Sequence, residues 1–126
     1  MRVVVVGFYL LVGLPAYGSA DELTAGQLYD FCTSQDEVAK TACRFYVLGV
    51  EQGVSVADGS VMNKSGVVVQ GRRTIFCTPD DLPDSAMVQI FVARMQGLAV
   101  LYPNDFKSPA VSLVAATLHK AYPCGK

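Results

Sequence analysis

Four cysteines, one histidine and a small acidic cluster are the side chains in this 126-residue chain with the chemistry to form a reactive or metal-binding site. Cys32, Cys43, Cys77 and Cys124 include no Cys-x-x-Cys pair, the spacing that brings two thiols one helical turn apart for redox work. Zinc is equally poorly served, because His119 is the sole imidazole available to complete a tetrahedral set. His119 lies beside Lys120 near the end of an apolar helical run, where the helix dipole favours a cation or donor, and no nucleophile is spaced to use it as a base. Asp80, Asp81 and Asp84 precede another helical run, where acidic groups offset the dipole, so they read as helix-start residues and not as paired glycosidase acids. No phosphate loop, EF-hand or dinucleotide fingerprint occurs, and Gly71-Arg72-Arg73 is a basic turn, either solvated or a contact for an acidic partner. The expectation is a chain with no catalytic residues, no metal and no cofactor.

An even number of cysteines takes its meaning from the compartment. Met1-Arg2 supplies a positive start, Val3 to Leu14 is an uncharged apolar run, and Gly18-Ser19-Ala20 offers small residues for a signal peptidase. Residues 1–20 therefore read as a secretory signal peptide, too short to span a bilayer, and residues 21–126 as a single exported domain. In a small exported domain four cysteines point to two structural disulfides. The chain is 52% hydrophobic and 17% charged with a net charge of −1, which suits one globular domain and lacks the clustered cations of a nucleic-acid binder.

The elements that place the cysteines follow from apolar periodicity. Thr24 to Gln27 has capping-box spacing, with Leu23 and Leu28 placed as its hydrophobic staple, so a first helix begins there and carries Leu28, Phe31 and Cys32 on one face. Ser34 to Glu37 repeats the spacing and opens a longer helix with Ala39, Cys43, Tyr46, Val47, Val50 and Val54 at helical intervals. Gly49 and Gly53 on that helix read as a packing device that lets another helix approach. Ala57 to Phe76 breaks into turn clusters, a loop of unusual length, within which Val67 to Val69 and Thr74 to Phe76 are placed to pair as a short β-hairpin across Gln70 to Arg73. A third helix spans Asp84 to Tyr102, Pro103-Asn104-Asp105 stops it, and a fourth starts with Ser108 as N-cap and Pro109 in the first helical position. The expected class is all-α: a small disulfide-bonded bundle of four main helices, two helical hairpins, with a long loop between helices two and three. Short turns in both hairpins bring Cys32 to Cys43, and Cys77, ahead of helix three, to Cys124, after helix four.

A resemblance adds to this. Cys43-x-x-Tyr46-x-x-Gly49 in the second helix, Cys77-x-Pro79 before the third, Tyr102-Pro103 at its end, Pro109-Ala110 opening the fourth and the terminal Tyr122-Pro123-Cys124 together resemble the Rap/Tai family of type VI secretion amidase immunity proteins, over Leu23 to Cys124. The resemblance implies a helical, disulfide-bonded periplasmic protein that is not an enzyme and that binds and blocks a peptidoglycan amidase effector; several members are homodimers. Its long loop and the start of helix three at Pro83 depart from the family pattern. In some members a protruding loop enters the effector's cleft, and here Val67, Val68, Val69, Arg72 and Arg73, apolar anchors with a charged rim, are the candidate contacts. The alternative from another functional class is a small periplasmic acid-stress chaperone resembling HdeA.

Overall fold

The computed structural model describes residues 21–125, with the side chains of residues 61, 68 and 70 outside that description. The expected signal peptide, residues 1–20, also lies outside it. Four helices, α1 (Ala25–Thr33), α2 (Glu37–Ala57), α3 (Asp84–Leu101) and α4 (Ala110–Ala121), form an all-α bundle of two helical hairpins, α1–α2 and α3–α4. Among the described residues no helix is long and apolar enough to cross a membrane.

Helix α1 starts where its capping box is complete: Thr24 Oγ1 accepts from Gln27 N at 3.2 Å, and Gln27 Oε1 accepts from Thr24 N at 2.9 Å. Asp36, not Ser34, caps α2, its carboxylate accepting from Val38 N and Ala39 N. The reason is the tightness of the connection. Ser34 is needed in extended backbone to end α1, and its Oγ accepts from Asp36 N at 3.0 Å, which orients the anionic cap toward the positive end of α2. Helix α3 begins after Pro83, and the Arg44 guanidinium of α2 donates twice to Asp84 Oδ2, at 3.0 and 2.9 Å, fixing that first turn against the neighbouring helix.

Two further expectations are corrected at the end of α3. Pro103–Lys107 forms a 3₁₀ turn instead of a plain stop, and it sets the Phe106 ring edge-on to Tyr29 of α1, centroids 5.7 Å apart. Pro109 is the N-cap of α4 and not its first helical residue. The cause is tertiary: Ala25 N donates to Ser108 O and Ala110 N to Leu23 O, both at 2.8 Å, so residues 108 and 109 run extended beside the start of α1. The same bonds satisfy helix-start donors that no side chain caps.

Leu28 of α1, Cys43 and Val47 of α2, Phe91 and Met95 of α3, and Val114 and Leu118 of α4 meet in one buried core. Cys32 is bonded to Cys43 (Cα–Cα 5.1 Å) and Cys77 to Cys124 (Cα–Cα 4.9 Å), one bridge closing each helical hairpin. The Gly49 and Gly53 expectation fails: among the described residues a Cβ built on either meets nothing within 4 Å, so no described helix packs closely there, and the adjoining Phe45 is exposed.

Candidate functional site

The stretch between α2 and α3 holds a hairpin that stands clear of the helical core, followed by a return segment, Phe76 to Thr78, that packs into it. The hairpin's strands are β1 (Ser60–Met62) and β2 (Val68–Gln70), antiparallel with Ser60 opposite Gln70, Val61 opposite Val69 and Met62 opposite Val68. The expected partner strand, Thr74 to Phe76, is therefore wrong, and the reason lies in where its donors go. Thr74 N and Ile75 N both donate to Asp58 Oδ2, at 2.6 Å, and Thr74 Oγ1 donates to Asp58 Oδ1 at 2.7 Å, which leaves those amides unavailable to a ladder. Phe76, 1% exposed, is turned into the helical core.

The reversal between the strands is chemically specified. Asn63 Oδ1 accepts from Ser65 N and Val67 N, at 2.9 and 3.0 Å, while Gly66 sits at a φ of 76°, a left-handed position that favours glycine. At the base, Gly71 N donates to Gly59 O at 2.7 Å. The two backbones approach so closely that a Cβ on Gly59 would lie 2.1 Å from Arg72 O and one on Gly71 2.1 Å from Gly59 O. Asp58 closes the base from the end of α2. The amide of Ile75, then the hydroxyl and amide of Thr74, hold its carboxyl below the usual carboxylate range, and the nearby Arg73 charge acts in the same direction.

Further bonds strap the return segment to the helices. Glu51 Oε1 on α2 accepts from Thr78 Oγ1 at 2.5 Å and Ser55 Oγ at 3.2 Å. His119 Nδ1 on α4 hydrogen-bonds the Ile75 carbonyl, and because a carbonyl only accepts, Nδ1 is the protonated nitrogen. The histidine is thus a structural donor to the loop. Asp84 is paired with Arg44 and Asp80 with Arg73 (3.6 Å), so these two members of the acidic cluster each face a separate cation.

With its base fixed, the hairpin exposes apolar side chains on both faces: Met62 is 71% exposed on one, and Val67 (57%) and Val69 (39%) are exposed on the other. Of the expected contact residues, the structure places Val67 and Val69 together on one face, and the Val68 side chain lies outside the described residues. Arg72 is exposed just past the end of β2, at the hairpin's base, and Arg73 is paired with Asp80 and does not rim the tip. Met62 and the Asp58 anchor went unnoticed in the sequence. Met62 lay hidden between turn clusters, although Val61-Met62 ahead of Asn63-x-x-Gly66 is the mirror of Val67-Val68 behind it. Asp58 carried no local sign, since its acceptors' partners lie 16 and 17 residues away.

The family model of the Rap1a immunity proteins matches residues 24–124, from the cap of α1 through Cys124. Comparison with curated proteins gives no match.

Proposed function

Because the chain belongs to the Rap1a immunity protein family, we propose that it is a periplasmic immunity protein that binds and inhibits a peptidoglycan amidase effector of a type VI secretion system. The observation that carries this reading is the anchored hairpin: it exposes Met62 on one face and Val67 and Val69 on the other, beyond a base that is held by Asp58 and by the Gly59–Gly71 contact and that carries Arg72. Ordering of the hairpin before binding lowers the entropic cost of placing it in a cleft. Export fits two disulfides, which persist in oxidising compartments, and residues 1–20 then act as a cleavable leader.

The test is direct. The protein purified from the periplasm without reductant is offered to a panel of peptidoglycan amidases, and affinity and residual hydrolysis are measured. One amidase should be bound tightly and silenced. The double variant V67D/V69D should fold as the parent does, since both side chains are exposed, yet lose about 30-fold or more in affinity for that amidase. Unchanged inhibition by V67D/V69D removes the hairpin from the contact; no binding across the panel removes the amidase.

A further inference from the structure

Helix α3 carries more apolar surface than the core uses. Met87, Phe91, Met95 and Leu98 make its buried stripe. A second stripe, Ile90, Arg94, Gly97 and Leu101, recurs at helical spacing and lines a groove of about 690 Å³ shared with Lys120 and Ala121 of α4. An apolar helix surface of this kind is ordinarily covered, but here Leu101 is 69% exposed and the adjoining Tyr102 is exposed as well.

Charge says what would cover it. Arg94 and Lys120 are the charged side chains lining the groove, and no acidic side chain lines it. Neither makes an ion pair among the described residues, and Arg94 Nε is enclosed without a hydrogen-bond partner there. With its stem half-buried and Nε enclosed, Arg94 keeps its charged end free to meet an anion. Two cations set in an apolar trough, beside an exposed tyrosine, complement a carboxylate flanked by apolar side chains.

We infer that the α3–α4 groove is a second docking surface, which takes a protein segment presenting an Asp or Glu side chain between apolar residues, contributed by the same effector whose cleft meets the hairpin. The effector as source rests on the immunity reading; the groove's chemistry does not.

The experiment uses ¹⁵N-labelled protein titrated with the capped peptide acetyl-Leu-Glu-Leu-Leu-amide and with its glutamine counterpart. The Glu peptide at millimolar concentration should shift amides at Ala93, Gly97, Leu101 and Ala121, and the Gln peptide should bind about fivefold or more weakly. K120Q, at an exposed position, should narrow that preference with an unchanged circular dichroism spectrum, which guards against reading a misfolded R94Q as loss of the site. Equal affinity for both peptides, shifts centred on Met62 and Val67, or no shifts would each overturn the groove. Sedimentation showing a dimer that K120E dissociates would assign it to a second copy of this chain and overturn the effector as occupant. So would undiminished affinity of K120E for an amidase that the parent protein inhibits, an outcome that leaves the immunity reading standing. Conversely, failure to bind any amidase alongside Glu-selective peptide binding sinks the immunity reading and keeps the groove.

Discussion

The two disulfides should contribute unequally, and the difference can be worked from the loops they close. In the chain-entropy description, a bridge stabilises by removing freedom from the unfolded chain, in proportion to the logarithm of the loop length. The Cys77–Cys124 bridge spans a sequence separation of 47 and Cys32–Cys43 one of 11. The expected contributions are about 4.05 and about 2.75 kcal/mol, a gap of about 1.3 kcal/mol in favour of the longer loop. Comparing cysteine-to-alanine pairs directly would blur this, because Cys43 is fully buried and its truncation adds a packing loss of about 1 kcal/mol to the short bridge. The cleaner assay keeps the side chains constant. C32A/C43A is unfolded in urea with its remaining bridge oxidised and then reduced, and C77A/C124A is treated the same way. Where a reduced form does not fold in water, its stability is extrapolated from trimethylamine N-oxide, which favours the compact state. Each difference belongs to one bridge. Equal values, or a larger one for Cys32–Cys43, would refute the entropic account and mean that residual unfolded-state structure or native packing sets the bridges' worth.

Three more outcomes follow from the structure. The hairpin base should loosen in acid: the Asp58 carboxyl is held below its ordinary range, so its contribution is complete above the unfolded-state pKa and is lost as pH falls through the lower folded value. Protection of the Thr74 and Ile75 amides, the intrinsic exchange rate at the same pH divided by the observed rate, should fall there, and D58N should lose that protection already at neutral pH; protection insensitive to both would contradict the anchor. G59A should disorder the hairpin while the helical spectrum stays intact, since a Cβ at φ 74° would strike the Arg72 carbonyl. L28A, in the centre of the core, should cost about 2–5 kcal/mol, against about 0.5 kcal/mol or less for the exposed F45A, as read by urea midpoints.

The helices were legible because their information is local. Apolar residues at helical intervals place α1 to α4, and the Thr24–Gln27 box marks the start of α1 from four consecutive residues. Where two local signals competed, reading by spacing alone chose wrongly. Ser34 and Asp36 both suit a cap, and the extended turn that lets α1 fold back on α2 decides between them. The loop shows the same limit more strongly: three valines, a Thr-Ile-Phe run and several glycines permit more than one hairpin, and β-strand pairing is settled by what else claims each donor.

By itself, then, the order of residues determined an all-α bundle of two helical hairpins and marked the segment between α2 and α3 as a long non-helical connection. Family membership could be read there too, from short motifs kept in order. Tertiary structure alone decided that Asp58 takes the amides of Thr74 and Ile75, that Phe76 leaves the hairpin for the core, that Arg73 turns inward, and that Pro109 runs beside Leu23 before α4 begins. The physical reason is range. Helical periodicity and caps are set by neighbours within one turn, whereas a buried side chain or a backbone donor finds its partner only once distant segments have been brought together, and no local pattern records which partner that is.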